Sequence, residues 1–190
     1  QLNRFVKKCN AISKAITDSK TPYLESYNSQ TWPADIMPCV ASLKIHDGII
    51  NEQFAEAIKQ WLTTVKSKLD PETGLIPHSV LPLNGEVLEG ARGSSQSLIL
   101  NFLSEIDLEF SNAQFQLYKK HFVDSKFGLT GIREYPFNTI NEGGDVDSGP
   151  VLLDIGGAAS IVGQRTMWKY KHFEIFESLR NSIEGFGVGH

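Results

Sequence analysis

The sequence predicts an all-α fold of about seven helices stacked as helical hairpins. Three observations carry that expectation. Four segments place apolar residues at helical spacing behind a lysine-rich face. Three others are poor in charge and rich in small residues, as suits helices packed on several sides. The two kinds alternate, with a repeat of roughly 53 residues.

Taken in order, residues 2–17 carry Phe5, Val6, Cys9, Ile12 and Ile16 on one helical face. The first low-charge segment, 32–46, contains Ala41. Residues 51–69 return to the amphipathic pattern through Phe54, Ala57, Ile58, Trp61, Leu62 and Val65. Segment 94–106 is low in charge and includes Ser97. Residues 111–123 carry Phe115, Leu117, Tyr118 and Phe122. Segment 148–164, with Ala158, Ala159 and Gly163, reads as a third inner helix, and 168–183 closes the series with Phe173, Phe176, Leu179 and Ile183. Strand signals are scarce. Ser79-Val80-Leu81-Pro82-Leu83 fits a short extended piece, and its proline argues against a central strand.

The repeat rests on what ends each amphipathic helix. Asp18-Ser19-Lys20, Asp70-Pro71-Glu72 and Asp124-Ser125-Lys126 occupy corresponding places. The last two continue alike, to Gly74-Leu75 and Gly128-Leu129. Long polar loops at 18–31, 70–93 and 124–147 follow, and each leads into a low-charge helix. Short turns at Asp47-Gly48, at Glu105-Ile106-Asp107 and near Gln164 lead back out. Stacked hairpins then put every long loop, and the polar chemistry with it, at one end.

The chain has 190 residues, of which 41% are hydrophobic and 21% charged, enough for one domain (1–190) with a sizeable core. A net charge of −4 without a basic cluster argues against nucleic acid as a partner. No apolar run approaches the ~18 residues of a membrane span. Cys9 and Cys39 form no metal or redox motif, and they read as two buried thiols or a single disulfide. The chain begins at Gln1, so the lack of a leader carries no weight and the compartment stays open.

One segment stands out. Glu142-Gly143-Gly144-Asp145-Val146-Asp147-Ser148-Gly149-Pro150 is acidic and glycine-rich, and it leads into Val151-Leu152-Leu153-Asp154-Ile155-Gly156-Gly157-Ala158-Ala159, which reads as a buried helix. In that reading Asp147 or Ser148 caps the helix and Pro150 sits in its first turn. Asp145 lies beyond any capping duty.

This organisation resembles the (α/α) toroid of the six-hairpin glycosidases. The resemblance rests on Thr31-Trp32-Pro33-Ala34-Asp35, Thr73-Gly74-Leu75-Ile76-Pro77-His78, Ala91-Arg92-Gly93-Ser94-Ser95, Arg133-Glu134-Tyr135-Pro136, and Gly144 through Pro150. The last of these also resembles a group of bacterial proteins near linalool dehydratase/isomerase, which shares the toroid. None of that enzyme's catalytic residues maps onto this chain, so none is carried over. Six units would need roughly 320 residues. Seven helices make little more than half a ring: a fragment, an open arc, or one half closed by self-association with a second chain.

The resemblance implies a carbohydrate-active enzyme of glycosidase type acting on a glycan or other small molecule. Such chemistry needs two carboxyl groups. Asp145 and Asp147 are the first candidates, with a partner from another loop, Glu134 or Asp35. Arg92 is placed to pair with Asp145 or Asp147, or to hold a substrate. Trp32 and Tyr135 offer stacking surfaces, and His78 can transfer protons. Ser94 and Ser95 read as caps, and without a Gly-x-Ser-x-Gly elbow a serine nucleophile is not expected. His46, His121 and His172 read as solvated. No zinc spacing is present and no cofactor is implied, while Glu142, Asp145 and Asp147 leave calcium open. Two alternatives stand beside hydrolysis. The same acids could serve a lyase or isomerase on a hydroxylated substrate, or the domain could bind glycan or protein without catalysis.

Overall fold

The computed structural model describes residues 1–140, 143–145 and 148–185. They form seven helices: α1 (Leu2–Asp18), α2 (Pro33–Ile49), α3 (Ala55–Lys66), α4 (Gly93–Ile106), α5 (Leu108–Phe122), α6 (Gly157–Lys169) and α7 (Phe173–Gly185). α4 lies between α2 and α6 and packs on both. α1 and α3 lie against α2, α5 against α4, and α7 against α6.

α4 shows why its sequence is so uncharged. Ile99 and Leu103 enter one hydrophobic cluster with α1–α3, while Leu100 enters a second cluster with α5–α7. Its polar side chains are buried as well and find partners. Ser97 Oγ donates to the Ala159 carbonyl at 3.0 Å, and Asn101 Nδ2 donates to Thr166 Oγ1 at 2.9 Å. Small polar side chains thus let α4 and α6 approach closely while staying hydrogen-bonded. The first cluster includes the fully buried Trp61, whose Nε1 donates to the Pro22 carbonyl at 3.0 Å.

The turns at the short-loop end follow the sequence. Asp47 accepts from the backbone of Phe54 at the start of α3. Asp107 caps α5 by accepting from Phe110 N at 2.7 Å.

Two expectations about secondary structure need correction. The first is the purely helical fold. Among the described residues there are three two-stranded antiparallel hairpins: β1 (Ser79–Val80) with β2 (Val87–Glu89) in the second long loop, β3 (Val123–Lys126) with β4 (Leu129–Ile132) at the start of the third, and β5 (Val151–Leu152) with β6 (Ile155–Gly156) just before α6. β1 matches the extended piece expected near Ser79. β3–β4 arises where Val123 ends α5 and Phe127-Gly128, both at positive φ, form a two-residue turn. The second Asp-x-x-x-Gly-Leu motif therefore makes this hairpin. The first makes a helix-terminal turn in which the Gly74 N–H donates to the Asp70 carbonyl.

The second correction is the third inner helix. α6 starts at Gly157, not at 148. Val151 to Gly156 form a hairpin whose turn residues, Leu153 and Asp154, both have positive φ. A run of apolar residues ending in glycines forms a short hairpin, with Leu152 and Leu153 exposed, rather than a buried helix, an ambiguity inherent in short apolar runs. Capping by Ser148 and the helical Pro150 fall with it. The return turn shifts from Gln164 to Tyr170–His172, with Lys171 at positive φ.

His46, expected in solvent, is fully buried, edge-on to Phe54 with ring centroids 4.7 Å apart. Cys9 is buried, Cys39 is half-buried, and both are free thiols. No helix among the described residues is long and apolar enough to cross a membrane.

Candidate functional site

The long loops are tied together by backbone bonds that run from one to the next. Val80 N donates to the Thr31 carbonyl, β1 pairs with β2, and Gly93 N donates to the Glu134 carbonyl at 2.8 Å. Glu134 N in turn donates to the Asp154 carbonyl at 3.0 Å. Glu134 is clamped between the start of α4 and the β5–β6 turn.

At this junction lies Arg92, the residue before α4, only 3% exposed. Its Nε donates to Glu134 Oε1 at 2.8 Å, and its Nη1 donates to Asp145 Oδ2 at 2.5 Å. A third carboxylate, Glu89 on β2, places Oε1 3.4 Å from the same Nη1. The guanidinium carbon stands 5.1 Å from the centre of the Tyr135 ring, a cation–π distance. Tyr135 anchors its hydroxyl by donating to the Gly143 carbonyl at 3.2 Å.

The three acids differ in access. Glu134 is fully buried and Oε1 also accepts from Ser94 Oγ at 2.6 Å. Its other oxygen faces Gly156, where a Cβ would lie 2.6 Å away. The Asp145 side chain is about half exposed, and that of Glu89 somewhat less. Asp145 is fixed by a reciprocal pair of bonds: Ser148 N donates to its Oδ1 at 2.8 Å, and its own N–H donates to Ser148 Oγ at 3.0 Å.

These contacts set the charges. Burial works against ionised Asp145, but the hydrogen bonds from Ser148 and Arg92 outweigh it and hold the carboxyl well below the usual range. Burial likewise opposes the Arg92 charge, yet its bond to Asp145 and the nearby Glu134 and Glu89 strengthen its hold on the proton. Glu134 is pushed up by burial, against the pull of Ser94 and Arg92. His78 sits beside the cluster, with Nδ1 2.5 Å from Ser95 Oγ and Nε2 3.7 Å from Glu89 Oε2. Burial and then the Arg92 charge lower it to about 4, so it is neutral near pH 7.

The structure therefore brings Arg92, Glu134, Asp145, Tyr135 and His78 together. Asp35 stands apart, exposed in the first turn of α2. Trp32 precedes that helix and packs edge-on against Tyr27, ring centroids 5.5 Å apart. Asp147 and Glu142 lie outside the described residues. Ser94 and Ser95 do not cap α4. The α4 N-terminus has no side-chain cap, and the two hydroxyls serve Glu134 and His78 instead. Glu89 was missed. Its only signal was its place three residues before Arg92, and strand pairing with β1 was needed to aim it.

Among the described residues, no group of three His, Cys, Asp or Glu side chains is arranged to hold a metal ion. A separate apolar groove of about 410 Å³ opens between β3–β4, β5–β6, α6 and α7, lined by Phe127, Leu129, Leu152, Ile161 and Ile183. None of the candidate residues lines it.

No family model matches the chain, and no curated protein matches it significantly.

Proposed function

We propose that the loop end is the site of a carbohydrate-active enzyme of glycosidase type, built on hairpins that form an arc of an (α/α) toroid. The observation that carries the reading is Asp145: a half-exposed carboxylate kept ionised by a buried arginine and by Ser148. A fixed negative charge of this kind stabilises the oxocarbenium-like transition state of glycoside cleavage. Tyr135 supplies a flat surface beside it, and the buried Arg92, positioned by Glu134, holds the carboxylate in place. The substrate is a glycan or another polyhydroxylated small molecule.

Asp145→Asn tests it. The amide keeps the shape and can still accept from Arg92, but it removes the charge. Hydrolysis of 2,4-dinitrophenyl glycosides should fall by about 10³-fold with the urea midpoint little changed. Undiminished turnover in the variant would sink the assignment.

A second reading has its own support. Arg92 engages both Glu134 and Asp145, as expected of acids that hold a binding module together. Oligosaccharide binding by a wild-type protein that hydrolyses none of these glycosides would favour that module.

A further inference from the structure

The apolar groove between β3–β4, β5–β6, α6 and α7 takes no part in the Arg92 cluster. Two of its wall residues are strained. Phe127 and Leu153 sit in the turns of the two hairpins at φ 55° and 52°, a conformation that bulky side chains seldom adopt. Phe127 gains little packing in return, because 91% of it is exposed. Leu129, Leu152 and Ile161 line the same groove and are exposed as well. Together these side chains bound a concave space of about 410 Å³. Proteins hold small ligands in spaces of roughly 300–1,000 Å³.

Four polar side chains line the groove among the described residues, and each is already engaged. Ser160 Oγ accepts from Ile132 N at 3.0 Å and donates to the Gly156 carbonyl at 2.9 Å. Ser182 Oγ accepts from Thr130 N at 2.9 Å and donates to the Ser178 carbonyl at 2.9 Å. Thr130 Oγ1 lies 3.0 Å from Ser125 Oγ. Lys126 Nζ donates to the Leu153 carbonyl at 2.8 Å and to Asp154 Oδ2 at 2.5 Å. A sugar ring would give up its hydrogen bonds to water here and find few in their place. A peptide would do so at every N–H and C=O it buried. The charge of Lys126 is matched by Asp154, so an ionic headgroup is not drawn in.

What suits such a lining is hydrocarbon, and its possible sources differ. A second copy of the chain would need about 20–30 residues a side, whereas fifteen described residues line the groove. An acyl chain in a bilayer already lies among hydrocarbon and gains little by moving. A free chain in water gains the transfer energy of every methylene it buries. We infer that the groove binds the aliphatic chain of a free, single-chain amphiphile such as a medium-length alcohol, one molecule per protein, with the polar end left in water. This site is separate from the Arg92 cluster and does not rest on the glycosidase reading.

The test titrates the full chain with 1-hexanol, 1-octanol and 1-decanol by isothermal calorimetry. One molecule should bind, about fourfold more tightly for each added methylene until the groove is full. The heat-capacity change should be negative. Ile161→Asp on α6 and Leu152→Asp on β5 each put a carboxylate on a different wall and should weaken 1-octanol binding by about tenfold or more. Both positions are exposed, so circular dichroism and the urea midpoint should match wild type. Ile49→Asp, at the end of α2 and outside the groove, should bind as wild type does. Affinity that does not rise with chain length overturns the inference, as does either wall variant binding 1-octanol as tightly as wild type. Wild type that floats with phosphatidylcholine vesicles but takes up no free 1-octanol overturns it in favour of a membrane surface. Wild type that sediments as a dimer, becomes monomeric through Ile161→Asp and takes up no 1-octanol overturns it in favour of a second copy.

Discussion

Gly93 rests directly on the backbone of Arg133: a Cβ at Gly93 would lie 1.9 Å from the Arg133 carbonyl oxygen. The contact brings the first turn of α4 down onto the end of β4. It also makes the Gly93 N–H bond to Glu134 and seats Arg92 over the Glu134 carboxylate. The site depends on an atom that is absent.

Gly93→Ala should therefore destabilise the protein by about 3 kcal/mol, at the upper end of overpacking costs, because the obstacle is backbone and cannot rotate away. Urea denaturation measures it. A loss under 1 kcal/mol would mean that α4 can shift at little cost.

Arg92→Met should cost more, about 3–5 kcal/mol, because it leaves Glu134 buried without its cation. The double variant R92M/E134M should recover much of that loss, since neither charge then remains. A double variant no more stable than R92M would mean that Glu134 does not need Arg92. Both proteins should lose whatever activity the site has.

His78 makes stability depend on pH. Its folded value, about 4, lies below the ordinary 6.5. Above pH 6.5 both folded and unfolded histidine are neutral, and His78 adds no slope. As pH falls from 6.5 toward 4, the unfolded chain takes a proton that the folded one refuses, and stability drops by about 3 kcal/mol in all. Nearby carboxyls titrate in the same range, so the difference between wild type and His78→Gln isolates the effect. That difference should grow steadily from pH 7 to pH 4.5, and a flat difference would contradict it.

Leu153 occupies the first position of the β5–β6 turn at φ 52°, where a branched apolar residue is strained. Leu153→Asn should stabilise the hairpin by about 0.5–1 kcal/mol, since asparagine tolerates this conformation. Thermal unfolding checks it. A lower melting temperature would mean that Leu153 contributes more through packing over the apolar groove than it loses through strain.

The helices were legible because their periodicity is long and repeated. Phe54, Ile58, Trp61 and Val65 mark α3 as plainly in the chain as in the core. The hairpins were not. Val151 through Gly156 span six residues, too few for a period to separate strand from helix, and the decisive signal was two residues at positive φ. Polar singletons were equally opaque. Ser94 and Ser95 look like caps, and His46 looks like a surface histidine, until neighbours distant in sequence are placed beside them.

Sequence alone determined seven helices and their alternation of charged and uncharged segments, and it assigned Asp35, Trp32, His78, Arg92, Glu134, Tyr135, Asp145 and Asp147 to one end without separating Asp35, which stands apart, from the others. The helices follow from spacing that the chain carries within a few residues, and the common end follows from the repeat. Only the tertiary structure decided which acid does what. Glu134, Asp145 and Glu89 are similar carboxylates in the sequence. Glu134 and Asp145 meet the Arg92 guanidinium from 42 and 53 residues away, and Glu89, three residues from Arg92, is aimed by the pairing of β2 with β1; burial and distance of this kind set charge and access.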